Sequence, residues 1–222
     1  MTRRKLQRFA EIVSFPHVYE LGFQEREEGL KLKGKWLECH FKNNNPIVLE
    51  LGCGKGEYTL GLADKYPQKN FIGVDIKGNR IWRGAKTVLE NKIDNAAFLR
   101  TRIDFIESCF LKDEVDEIWI TFPDPQPQKS RIRKRLTSPV FLNRYKNILK
   151  PGGLIHLKTD NRPLWEYTTE VIVENNYKLV CATDNLYNNP LAVFSEAASI
   201  QTHYEALFKS KGFTICYLEF MF

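Results

Sequence analysis

Two groups of residues in this 222-residue chain combine the types and spacing that chemistry needs. The first is Ile47-Val48-Leu49-Glu50-Leu51-Gly52-Cys53-Gly54-Lys55-Gly56-Glu57, an apolar run ending in a carboxylate, with glycines at alternate positions after it. Strand, tight turn and helix start in that order let a nucleoside ligand lie against bare backbone. The second is Asp124, set between Pro123 and Pro125 just after the apolar run 118–122. Ligands of parallel sheets bind outside the carboxyl ends of strands, so Asp124 is aimed at the same crevice, on a loop that prolines stiffen. The basic run Lys129, Arg131, Arg133, Lys134 and Arg135 follows at once and would sit at the crevice mouth, where cations can hold phosphates.

The glycine turn has to be typed by its spacing. A dinucleotide site expects G-x-G-x-x-G, whereas Gly52, Gly54 and Gly56 follow G-x-G-x-G with Glu50 ahead of them. A carboxylate there repels a pyrophosphate and suits a cation without phosphate, which fits the ammonium and sulfonium of S-adenosylmethionine. Asp75, closing the second strand, is placed to accept from both ribose hydroxyls. Singly, each acid could equally be a helix cap and each glycine a mere turn; together, at the ends of adjacent strands, they favour the cofactor. The Lys-Ser/Thr ending of a phosphate loop is missing after Lys55. Cys53 reads as a small packed residue, with no histidine or acid beside it in sequence.

These residues need a scaffold, and the hydrophobic pattern supplies one. Strand-like runs near residues 47–50, 71–75, 97–101, 117–122 and 154–158 alternate with helical patterns near 57–66, 79–92, 137–149 and 164–175. Such alternation predicts an α/β fold with a parallel sheet covered on both faces. Two final strand-like runs, 178–182 and 213–220, flank an amphipathic segment at 202–210 and predict an antiparallel edge. Residues 1–45 read as a basic, irregular arm led by Arg3, Arg4, Lys5 and Arg8, and residues 46–222 as the catalytic domain.

Composition narrows the setting. Lys and Arg total 33 against 27 Asp and Glu, a net charge of +6 concentrated unevenly, so a polyanion is the expected partner. No apolar run is long enough to cross a bilayer and residues 1–5 lack a signal-peptide core, which makes the cytoplasm the expected compartment. The five cysteines are scattered with no C-x-x-C pair, so neither disulfides nor a metal site are expected. Monomer and homodimer both stay open.

In this combination the chain resembles the tRNA (guanine-N7)-methyltransferase family from about residue 46 to the end. The resemblance rests on Glu50-Leu51-Gly52-x-Gly54-x-Gly56, on Phe122-Pro123-Asp124-Pro125 with its basic run, on Thr159-Asp160-Asn161, and on Thr202-His203-Tyr204-Glu205, which matches T-x-Y/F-E. It implies a Rossmann-like, seven-stranded, S-adenosylmethionine-dependent fold that forms 7-methylguanosine from a variable-loop guanosine of tRNA. It also implies cofactor roles for Glu50, Gly52, Gly54, Gly56, Asp75 and Asp124, catalysis by Asp124, and substrate roles for Asp160, Thr202, His203, Tyr204 and Glu205. Two departures stand out. Where the family has D-P-W-P-K, this chain has Asp124-Pro125-Gln126-Pro127-Gln128, so the substrate lysine falls on Gln128 with Lys129 one place on, leading into Arg131 and Arg133. The adenine-side Asp-Ala pair is replaced by Arg102-Ile103, with Asp104 next, and both Arg102 and Asp104 are carried as candidates. The rivals are a methyltransferase of another RNA, protein or small molecule, and a non-catalytic RNA-binding module on the same fold.

Overall fold

In a computed structural model of the protein, the backbone is described for residues 3–222 and the side chains for residues 6–202 and 205–222. Eight strands form one sheet: β1 (Val18–Glu20), β2 (Ile47–Leu51), β3 (Asn70–Asp75), β4 (Ala96–Arg100), β5 (Val115–Thr121), β6 (Leu149–Thr159), β7 (Lys178–Thr183) and β8 (Cys216–Met221). Among the described residues seven α-helices accompany them: α1 (Arg3–Val13), α2 (Glu57–Lys65), α3 (Gly78–Asn91), α4 (Pro139–Lys146), α5 (Arg162–Glu174), α6 (Ser195–Ser199) and α7 (His203–Ser210). The strand order is β1-β4-β3-β2-β5-β6-β8-β7, parallel throughout except that β8 runs antiparallel to β6 and β7. The parallel sheet with an antiparallel edge agrees with the expectation from sequence.

Alternation along the buried strands divides the core in two. Leu49, Leu51, Ile72, Val74 and Leu99 meet α4 and α5 on one face. Val48, Phe71, Phe98 and Trp119 meet α1, α2, α3 and the segment around Leu186 and Ile200 on the other. Both faces of the central strands β2 and β3 are therefore closed to water, and these strands read as near-continuous apolar runs.

Strand number is where the expectation is corrected. Seven strands were expected and eight are present, because Val18–Glu20 adds to the outer edge of β4 with Val18 opposite Phe98. Three residues are too few to show a period of two, so this strand is invisible until β4 offers its edge. It lies inside the stretch expected as an arm. Within the same stretch Trp36 is fully buried and donates from Nε1 to the carbonyl of Cys109 at 3.1 Å. The terminal strand also starts later than its apolar pattern, at Cys216. Among the described residues no helix is long and apolar enough to cross a membrane.

The turn after β2 depends on Gly56, whose φ is +72° and where an added Cβ would lie 2.5 Å from the Phe98 ring. Gly54 is also left-handed, at φ +57°, but its nearest neighbour to such a Cβ is 4.0 Å away. Gly54→Ala therefore meets only the backbone penalty of about 1–2 kcal/mol. Gly56→Ala adds overpacking, for a total of about 2–5 kcal/mol. Urea denaturation of both variants measures the gap; equal losses would mean that Phe98 yields freely.

Candidate active site

Strand order reverses between β2 and β5: from β2 the chain moves out to β3 and β4, then returns to β5 and moves out the other way to β6. Loops leaving the two neighbours diverge there and open a crevice at their carboxyl ends. A cavity of about 430 Å³ occupies it, lined by Glu50, Gly52, Gly54, Thr121, Asp124 and Asp160 among others. That size suits a nucleoside-sized ligand. A wider hollow of about 620 Å³ lies at the opposite end of the strands, among Leu37, Asn43, Leu111 and Lys150. It holds none of the residues singled out from sequence.

Glu50 forms the floor of the crevice and is only 3% exposed. Its Oε2 accepts from the Thr59 amide at 2.8 Å and from the Thr59 hydroxyl, and its Oε1 accepts from the Thr121 hydroxyl at 2.7 Å. Burial pushes its carboxyl up to about 7, against the pull of these donors. The pocket floor thus holds an acid that titrates near neutrality and gains from a cationic neighbour. Cys53, beside it, is buried, and burial drives its thiol well above the ordinary value, so it stays a neutral packing group.

Asp75 is spent on the backbone. One oxygen accepts from the Gly54 amide at 3.0 Å and the other from the Lys77 amide at 2.8 Å, so it joins the glycine turn to the entry of α3. Gly56 packs against Phe98 rather than lining the cavity. Arg102 and Asp104 pair with each other at 3.0 Å and line a separate hollow with Phe23 and Phe105. Ile103 starts the short helical turn that follows Arg102 and is half-buried against the core. None of these three lines the crevice.

Asp124 sits on a strained loop. Phe122 and Gln126, two residues to either side, have φ of 48° and 44°, a region costly for residues with a side chain. The Asp124 carboxylate accepts from the Gln126 amide at 3.0 Å and lies exposed at the crevice wall. What holds the loop is Arg135, which donates to the Pro125 carbonyl at 3.1 Å and the Gln126 carbonyl at 3.4 Å and stacks over Tyr167 at 4.3 Å. Read from sequence, Arg135 was simply the end of the basic run; only its carbonyl partners set it apart. The rest of the run is a short helical turn, Lys129–Lys134, that buries none of its residues and keeps Lys129, Arg131 and Arg133 exposed after Gln128.

The last two motifs divide their labour. In Thr159-Asp160-Asn161, Asn161 caps α5 by accepting from the Leu164 amide at 2.9 Å, and Thr159 is buried and accepts from the Asn161 amide at 3.1 Å. Asp160 is left facing the crevice, its carboxyl raised by burial. Thr202 lines the same crevice and forms a capping box with Glu205 at the start of α7. Glu205, expected to touch substrate, is 0% exposed. It pairs with Lys158 at 2.8 Å and accepts from Tyr187 at 2.5 Å. Lys158 is equally buried and donates to the carbonyls of Ala197 and Ile200 at 2.5 and 2.9 Å. Burial draws this lysine below its ordinary value while Glu205 supports its charge. The side chains of His203 and Tyr204 lie outside the described residues. Sequence reasoning also missed Phe208, which lines the crevice and meets Phe122 with ring centroids 6.2 Å apart.

Comparison with known proteins agrees with this architecture. A family model described as a putative methyltransferase matches residues 44–218. A protein of Christiangramia forsetii named tRNA (guanine-N(7)-)-methyltransferase is 49% identical, with 99% of this chain and 98% of the relative aligned. A protein of the same name from Bacteroides thetaiotaomicron is 46% identical over 99% of this chain and 86% of its own length. Among solved structures, the 16S rRNA methyltransferase KamB superposes with a TM-score of 0.62 at 17% identity, covering 90% of this chain and 94% of its own, a likeness of fold.

The Lys158–Glu205 pair leads to a stability prediction. Lys158→Met strands a buried carboxylate and is expected to cost about 3–5 kcal/mol. Adding Glu205→Gln, which keeps an acceptor for the cap and removes the charge, should restore a large part of that loss. Denaturant midpoints of the single and double variants check this, and a loss below about 1 kcal/mol for the single variant would rank the pair with exposed ones.

Proposed function

The chain belongs to the tRNA (guanine-N7)-methyltransferase family, and from that premise we propose that it forms 7-methylguanosine at a variable-loop guanosine of tRNA, in the cytoplasm. The observation that carries the reading is the convergence of Glu50, Asp124 and Asp160 on one crevice whose mouth adjoins an exposed basic turn. The donor set suits S-adenosylmethionine: acidic groups for its cationic parts, bare glycine backbone at Gly52 and Gly54, and Phe122 and Phe208 as apolar surface. When bound, it supplies a methyl group on a positively charged sulfur.

Guanine N7 carries an exposed lone pair and needs no base to remove a proton. The residues therefore act by alignment and by electrostatics. Glu50 holds the cationic end of the cofactor. Asp124, its loop clamped by Arg135, accepts from the guanine edge and faces the positive charge that the purine gains. Asp160, half-buried beside it, adds a second acceptor and a second negative field. Thr202 and Phe208 close the crevice over the base and exclude water. Lys129, Arg131 and Arg133 hold backbone phosphates outside. Incubating the protein with labelled methyl donor and unmodified tRNA, then identifying the modified nucleoside, tests the reading; any product other than 7-methylguanosine overturns it.

Two further outcomes are expected. With its carboxyl near 7, Glu50 is mostly protonated in the free protein at about pH 6 and ionised at about pH 8. A cationic ligand binds the ionised form, so cofactor affinity should rise about tenfold across that interval, with a proton released on binding at the acid end. Calorimetry over pH measures it, and Glu50→Gln should bind weakly with no such slope. Asp124→Ala should lower the single-turnover rate at saturating cofactor by about 10²-fold. Near-normal transfer would remove Asp124 from the chemistry.

A further inference from the structure

The arginines whose side chains are described fall into two classes. Arg8, Arg26, Arg100, Arg102, Arg135, Arg144 and Arg162 each hold an acid, a side-chain amide or a backbone carbonyl. Four others have no partner among the described residues: Arg80, Arg83, Arg131 and Arg133. All four are exposed. Arg131 and Arg133 belong to the turn after β5. Arg80 and Arg83 lie on α3, which follows β3, and Arg80 itself lines the crevice. Since β2 stands between β3 and β5 in the sheet, the two pairs flank the crevice on opposite sides.

The position of the α3 pair is set by packing. Ile81, Gly84, Ala85 and Val88 bury the inner face of α3, which turns residues 80 and 83 outward, one helical turn apart. A guanidinium is a forked, weakly hydrated donor suited to phosphate oxygens, and one without an internal partner has that fork to spare. Two such forks on each bank of an acidic crevice match a polynucleotide whose backbone crosses the mouth while one base enters.

We propose that Arg80 and Arg83 form a second phosphate-binding wall, so that the RNA strand carrying the target base is gripped on both sides of the crevice. The inference rests on the tRNA reading above and extends it to a surface that no sequence motif marks. Arg80 could instead meet the carboxylate of the cofactor, but Arg83 does not line the cavity, which separates the two roles.

The test measures the dissociation constant for unmodified tRNA at several salt concentrations, for the wild type, for Arg80→Gln/Arg83→Gln, and for Lys112→Gln/Lys178→Gln. The last pair removes equal charge from exposed sites, at the opposite strand end and on β7. Each lost phosphate contact should flatten the slope of log K against log salt by about 0.7–0.9, so the arginine pair should flatten it by roughly 1.4–1.8. The lysine pair should leave the slope near the wild-type value, and Arg83→Gln alone, at the residue outside the cavity, should flatten it by about 0.7–0.9 with the cofactor dissociation constant unchanged. An unaltered slope in the arginine variant, an equal change in both variants, or a loss confined to cofactor binding would overturn the proposal. Failure of the underlying reading is seen separately, as wild-type protein that does not methylate tRNA at all.

Discussion

A carboxylate on a central strand, enclosed between the helix that follows it and the neighbouring strand, must either find donors or stay neutral. Glu50 is held in that position by Thr59 from α2 and Thr121 from β5, three donors converging on two oxygens. The arrangement ties helix and strands together where strand order reverses, which is also where the sheet opens. Burial still dominates and keeps the group close to neutral pH in its titration. The site therefore stores an electrostatic deficit that a cationic ligand can relieve, and a cationic cofactor is what the family uses.

The opposite wall solves a different problem. A loop with two left-handed residues around Pro123, Asp124 and Pro125 does not hold its shape by local preference alone. Arg135 supplies the missing restraint by binding two carbonyls of the loop while its guanidinium rests on Tyr167. The basic run is accordingly two things at once. Its last residue belongs to the scaffold of the loop, while its earlier members face solvent and are available to a polyanion.

Motif residues far from solvent follow the same logic of indirect action. Glu205 sits in a buried ion pair and joins the cap of α7, so its influence on the crevice passes through Thr202 at the N-cap and Phe208 on the helix. Asn161 shapes the turn that aims Asp160. Asp75 orders the glycine loop and the start of α3 through two amides. A substitution at any of these would alter the crevice without removing a wall group.

The strand–helix alternation, the sheet with its antiparallel edge, the glycine turn after Glu50 and the acid after β5 are all legible in the linear order of residues. Those features come from local periodicity, backbone permissiveness and turn chemistry, all written within about ten residues of chain. The remaining features arise from contacts between distant segments. The strand Val18–Glu20 exists because β4 lends it an edge, and Arg102 and Asp104 satisfy each other away from the crevice. Glu205 is internal because Lys158, 47 positions earlier, is delivered to it by β6. Which guanidinium groups are engaged inside the protein is likewise a matter of which acids, amides and carbonyls the fold brings near. Such pairings depend on distances between segments remote in sequence, and no local pattern encodes a distance.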